Sequence, residues 1–266
     1  MIFAVPPLAA ETIFYLGNFP VTNAYINSTI VVVLFLGLGF ILRKRSLEIP
    51  DKIQNFAESI LEVCLGYIDQ VTHDRKKTLR FLPTVGALFF FILVSNWIGI
   101  FPGIGSIWRA LPVHGGIEEI PIFRPANTDL NMTLSMAVLG VALSHIFGIT
   151  TIGFWKYANK FIKLGDVWRS FRKGGVSIMV AFIDFGVGLI EIVSELAKMV
   201  SLSLRLFGNV FAGEMLLTVI ASLMAFAVPL PFLFLEILVG MIQAIVFSML
   251  VLVFLTMATT EIHEAH

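Results

Sequence analysis

Ser201-Leu202-Ser203-Leu204-Arg205-Leu206-Phe207-Gly208-Asn209 places one arginine inside the longest apolar stretch of the chain. A guanidinium stays protonated at every accessible pH. At mid-bilayer depth it costs about 2.5–3.5 kcal/mol on insertion scales. A charge kept at that cost marks function.

The surrounding composition sets the class. The chain has 266 residues, 58% of them hydrophobic, with 25 phenylalanines, and its mean hydropathy is +0.92. That load points to an all-α polytopic membrane protein in a lipid bilayer rather than a soluble domain. Lys+Arg and Asp+Glu balance at 18 each, which points away from nucleic acid. The single cysteine, Cys64, precludes an internal disulfide, and no cofactor or metal site is expected. Residues 1–20 lack a basic n-region and are interrupted by Pro6, Pro7 and Pro20. No cleavable signal is therefore expected, and the first apolar segment should both target and span.

The whole chain reads as one membrane domain, 1–266, with about five spans. The first is expected at 24–42, ending in Arg43-Lys44-Arg45, a basic cluster that predicts a cytoplasmic end and an outside N-terminus. Over 50–73, Ile53, Phe56, Ala57, Ile60, Leu61 and Cys64 recur at three-four spacing, which predicts an amphipathic interfacial helix. A second span is expected at 82–101, then an external loop rich in Pro and Gly over 102–128. The third is expected at 129–150, with Asp129 as its start signal. Lys156, Lys160, Lys163, Arg169, Arg172 and Lys173 mark a second cytoplasmic loop.

The stretch 175–228 is far longer than the roughly 20 residues of one span. It is either two spans or one long tilted helix, and the lack of a turn between Glu195 and Asn209 favours the helix. Pro229-Leu230-Pro231 then turns the chain into a last helix, 231–260, with the C-terminal residues 261–266 in the cytoplasm.

On the long helix Asp184, Glu191, Glu195, Lys198, Ser201, Arg205 and Asn209 follow one another at steps of 7, 4, 3, 3, 4 and 4. At about 100° per residue they share a sector of roughly 120°. The alternative is interhelical glue, for Ser201, for Ser203 on the same helix, and for the Glu195–Lys198 pair above all. The stripe as a whole reads as an ion path. Glu214 falls on the opposite side, and Glu236, Gly240 and Gln243 share a face of the last helix. Carboxylates thus flank a permanent cation that cannot itself relay a proton. That is the design of two separate ion paths with a barrier between them.

The run from Ser201 to Glu214 resembles the signature of subunit a of the F-type ATP synthase, bacterial type. Asp129-Leu130-Asn131-Met132-Thr133-Leu134-Ser135-Met136-Ala137 and Gln243-Ala244-Ile245-Val246-Phe247 resemble two further motifs of that family, in the right order. The resemblance implies the stator half of a rotary motor in the plasma (inner) membrane, with partners in the c-ring, the subunit b stalk and the other F0F1 subunits. It implies no catalysis by this chain alone. Arg205 would face the c-ring carboxylate. Glu214, Glu236, Asn209, Gln243 and Asp129 would serve the external proton path. Glu191 would serve the cytoplasmic path, with Glu195 and Asp184 as weaker candidates. The last two helices would form a tilted hairpin against the ring. Members of the family pair a glutamate with a histidine at the positions of Glu214 and Glu236. Here both are carboxylates, which predicts a coupled pair sharing a proton. His145, expected near the cytoplasmic end of the third span, is read as structural.

The main alternative is a secondary ion-coupled transporter, which predicts internal repeats with broken helices. A haem protein would want paired histidines, and a voltage sensor several spaced arginines.

Overall fold

A computed structural model describes residues 10–43, 51–101, 108–113, 116–161, 175–224 and 227–260. Lys44, Arg45, Lys163, Arg169, Arg172, Lys173 and the C-terminal segment 261–266, all used above for topology, lie outside the described residues.

The fold is all-α and polytopic, with seven α-helices among the described residues, five of them long and apolar enough to span a membrane. The spans are α1 (Asn23–Arg43), α3 (Arg75–Ile100), α4 (Leu130–Ile152), α6 (Gly175–Leu223) and α7 (Pro229–Thr259). Helix α2 (Lys52–Thr72) is amphipathic, and α5 (Phe154–Phe161) is a short helix after α4. Successive spans alternate in direction. One end of the bundle carries two β-hairpins, and the opposite end carries Arg43, Arg75, Lys76, Lys77, Arg80 and Lys156.

Local chemistry sets the junctions. His73 closes α2 in a left-handed conformation, φ 50°, with its N–H on the Asp69 carbonyl. Asp74 then caps α3, accepting from the Lys76 N–H at 2.9 Å. This cap starts α3 at Arg75, ahead of the Leu82 start expected from hydropathy, and the helix runs through Pro83. Asp129 caps α4 in the same way, accepting from the Asn131 N–H at 3.0 Å. Gly153, φ 94°, ends α4 and turns the chain into α5. A proline opens α7, where its missing N–H leaves no bond unmade.

The hairpins were not anticipated. Strands β1 (Thr12–Leu16) and β2 (Phe19–Thr22) pair before α1. Within the expected external loop, β3 (Trp108–Val113) pairs antiparallel with β4 (Gly116–Pro121), followed by a 3-10 turn at Ala126–Thr128. That turn wedges into the bundle. Asn127 donates to the Asn96 side chain at 2.6 Å, and Asn27 of α1 donates to the Arg124 carbonyl at 2.9 Å.

The apolar core lies where α3, α4, α6 and α7 meet, around Phe81, Ile92, Leu206, Phe247, Val251 and Leu255. Gly140 lets α4 close on α7, since a Cβ there would stand 2.9 Å from Val251 Cγ2. Helix α6 is a single unbroken element of 49 residues. Its apolar part, Gly186–Leu223, has 38 residues, about 57 Å at 1.5 Å per residue. A hydrocarbon core is about 30 Å thick, so the apolar part of α6 is nearly twice as long as a perpendicular crossing needs. Only 11% of its span window is buried inside the chain.

The α4–α7 contact gives a direct check on the packing. Gly140→Val should destabilise the subunit by about 1–3 kcal/mol through overpacking. Adding Val251→Ala should recover part of the loss, read from denaturant resistance of the complex in detergent.

Candidate functional site

Helix α6 organises three groups of polar residues along its length. At the hairpin end, a cavity of about 200 Å³ lies between α3, α6 and α7, lined by Asn96, Asn209, Gly213, Glu236 and Gly240 among others. Near the middle stands Arg205. Toward the basic end, a smaller cavity of about 60 Å³ is lined by His145, Tyr157, Glu191, Glu195 and Lys198 with Ser144 and Ser194. Because α6 is continuous, helical rise fixes the spacing. Glu191 lies about 21 Å to one side of Arg205 and Glu214 about 13 Å to the other.

Arg205 is exposed, on a face shared with Ser201, Leu204 and Asn209. It has no hydrogen-bond or ion-pair partner among the described residues. Its neighbours on the outward side, Val193, Leu196, Val200 and Leu204, are exposed apolar side chains. Ser203, by contrast, turns inward and meets Thr133 Oγ1 of α4 at 3.2 Å. It joins helices, the role that its small hydroxyl suggested.

The larger cavity brings together residues distant in sequence. Asn209 donates to Gln243 Oε1 at 2.8 Å across α6 and α7. Asn96 donates to the Gly240 carbonyl at 3.2 Å. The absence of a side chain at Gly240 permits this approach, since a Cβ there would stand 3.1 Å from Asn96 Cβ. Glu236 reaches α6 at Gly213, where a Cβ would come within 2.9 Å of Glu236 Oε1. Glu236 Oε2 is buried with no hydrogen-bond partner among the described residues. A buried polar atom demands a partner, and a cavity of this size accommodates water, at about 30 Å³ per molecule.

Glu214 has a charged partner of its own. Arg124, which is 2% exposed, donates to both of its oxygens, with Nη2–Oε2 at 3.0 Å and Nε at 3.2 Å from each. The two carboxylates remain within electrostatic reach of each other. Sequence reasoning missed Arg124. The available signal was a basic residue in the expected external loop, against the positive-inside trend, five residues before the Asp129 motif. Asp129 is committed to capping α4 and is buried close to this cluster.

At the basic end, Glu195 Oε1 accepts from Lys198 Nζ at 2.7 Å, and Glu195 Oε2 lies 3.7 Å from His145 Nε2. Glu191 lines the same cavity one turn away. Asp184 lies two turns further along α6, and its side chain falls outside the described set.

The Arg124–Glu214 pair is buried on the arginine side, so removing one partner strands a charge. Arg124→Met should destabilise the subunit by about 3 kcal/mol. The double variant with Glu214→Gln should be less destabilised than the single one. A double-mutant cycle on unfolding in detergent measures the coupling.

The sequence matches the ATP synthase A chain family over residues 25–256. It is 32% identical over 243 residues to the ATP synthase subunit a of Moorella thermoacetica, covering 91% of this chain and 93% of that one. The ATP synthase subunit a of Geobacter sulfurreducens is 31% identical over 91% of this chain and 89% of its own. That of Mycobacterium marinum is 30% identical over 261 residues, 96% of this chain and 94% of its own. The match runs through all five spans and both cavities, and the chain belongs to the ATP synthase A chain family.

Proposed function

We propose that the chain is the stator subunit a of an F-type ATP synthase, carrying two offset proton half-channels that load and unload carboxylates on a c-ring. The observation that carries this reading is Arg205, exposed on the unburied apolar face of a membrane-spanning helix, between polar cavities at opposite ends. A charge so placed needs an anion from outside the chain. A ring of helices, each bearing one carboxylate, supplies it in turn.

In this mechanism the hairpin end faces outward and the basic end faces the cytoplasm of a plasma (inner) membrane. The N-terminus is then outside and the C-terminus inside, in line with the basic residues at α3 and α5. A proton enters through the larger cavity to Glu236. Glu214 has both oxygens committed to Arg124, so Glu236, with one oxygen unpaired among the described residues, is the carboxylate that takes and passes the proton. Asn209 and Gln243 orient the path beside α6. A ring carboxylate that receives the proton becomes neutral and enters lipid, where a bare carboxylate would be costly. After rotation it loses the proton toward Glu191 on the cytoplasmic side, with Glu195 and Asp184 beside that exit.

Arg205 holds the arriving carboxylate ionised and keeps the two half-paths from joining. Each charge moved supplies about 2.3 kcal/mol per 100 mV, which drives rotation and, in the F1 sector, ATP synthesis. The ring, the subunit b stalk and the remaining F0F1 subunits complete the machine, and no catalysis is assigned to this chain alone. The unbroken course of α6 speaks for this reading over a secondary transporter built on broken helices.

In the assembled complex, Arg205→Ala should abolish both ATP synthesis and ATP-driven proton pumping in membrane vesicles. Substantial retained synthesis would sink the assignment. Glu236→Ala should slow proton conduction about tenfold or more while the complex still assembles. Ion-coupled substrate uptake by the purified chain in liposomes lacking a ring would favour the transporter instead.

A further inference from the structure

The basic-end cavity holds a titratable group that the mechanism above does not use. His145 of α4 has a polar group facing each ring nitrogen. Nδ1 lies 2.6 Å from the Tyr157 hydroxyl, and Nε2 lies 3.7 Å from Glu195 Oε2. The arrangement is built from three elements. Helix α5 follows the turn at Gly153 and lays the Tyr157 ring against α4 at Gly148, where a Cβ would come within 2.4 Å of the ring. Helix α6 presents Glu191, Glu195 and Lys198. Helix α7 contributes only the apolar Phe254, Met257 and Ala258, with Lys198 Nζ 5.0 Å from the Phe254 ring centroid. Arg80 of α3 is held nearby on Thr150 and Thr151, at 2.9 and 3.1 Å.

We propose that His145 is a proton-exchange residue at the cytoplasmic mouth of the exit path, oriented by Tyr157 and electrostatically supported by Glu195. The inference rests on the half-channel reading. With Nδ1–H donating to the phenol oxygen, Nε2 is left as a base toward Glu195 and the cavity. A proton arriving from Glu191 is taken at Nε2, giving an imidazolium beside the Glu195 carboxylate. The same proton then leaves from Nε2 to the cytoplasm, restoring the neutral ring. One proton enters and one leaves, with no other bond changed.

Tyr157 serves as a fixed hydrogen-bond partner and not as a relay. Burial, then the charges of Glu195 and Glu191, push its phenol up to about 12, so it keeps its proton. Lys198 takes one oxygen of Glu195 and leaves the other turned to the ring. An imidazole is suited to the task because its ordinary titration lies near pH 6.5.

The test uses the complete complex in membrane vesicles, stripped of the F1 sector to read passive proton conduction against cytoplasmic-side pH. His145→Ala should lower conduction about tenfold or more, and millimolar imidazole should restore much of it. Tyr157→Phe, which keeps the ring packing, should displace the pH profile of conduction. Wild-type rate and profile in both variants would overturn the proposal. So would a loss in His145→Ala that imidazole does not relieve. If His145→Ala fails to assemble, an unchanged profile in Tyr157→Phe overturns it alone. Arg205→Ala and Glu236→Ala separate the two levels. If those abolish coupling while the His145 and Tyr157 variants are silent, only the exit-residue proposal falls. If they leave coupling intact, the half-channel reading itself falls.

Discussion

A guanidinium that cannot lose its proton, held on the apolar face of α6, is the constraint to which the other features answer. It requires a helix long enough to carry polar groups on both sides of it, and α6 runs 49 residues without a break. It requires a face left open to an outside anion, and most of the α6 span is unburied within the chain. It also forbids a continuous proton path through its own position. The cavities accordingly lie apart, one lined by Asn209 and Glu236, the other by Glu191 and Glu195.

The chain holds a second arginine beside α6 in the opposite circumstance. Arg124 is buried and fully paired with Glu214, so its charge is offset within the subunit. Such a pair contributes little net stability, but it fixes geometry and is costly to break. Arg205 has no such partner among the described residues. The same residue type therefore plays two physical parts. Arg124 neutralises and anchors one carboxylate at the hairpin end of α6. In the proposed mechanism Arg205 meets a carboxylate that belongs to another chain. In the proposed mechanism this division also accounts for a pair of glutamates where the family resemblance implied a glutamate and a histidine. Arg124 makes Glu214 a fixed anion and leaves the proton to Glu236.

What the sequence made legible was what a single helix can encode. The stripe from Glu191 through Arg205 to Asn209 lies on one element, so its geometry follows from 3.6-residue periodicity alone. The apolar runs and the caps at Asp74 and Asp129 likewise act within a few residues. The class and the five spans were therefore readable. What remained hidden joins elements far apart in the chain. Arg124 and Glu214 are 90 positions apart, and Asn96 and Gly240 are 144 apart. No local pattern announces such contacts, which depend on how α3, α6 and α7 pack. The partners of His145, Tyr157 and Glu195, likewise sit on two other helices. The β-hairpins were missed for a different reason. Strands of four to six residues give too little alternation to stand out in Pro- and Gly-rich stretches.

The central claim is that the open face around Arg205 meets a ring of carboxylate-bearing helices. Disulfide cross-linking in the assembled complex tests it most directly, with Cys64 replaced by alanine, a single cysteine placed at Ser201 or Leu204 of α6, and a second cysteine placed on the outer helix of the c subunit beside its carboxylate. The account predicts a bond from both positions to the outer helix of a c subunit near its carboxylate, and none from a cysteine at the buried Leu206. Cross-links confined to other partners, or equal cross-linking from position 206, would contradict it.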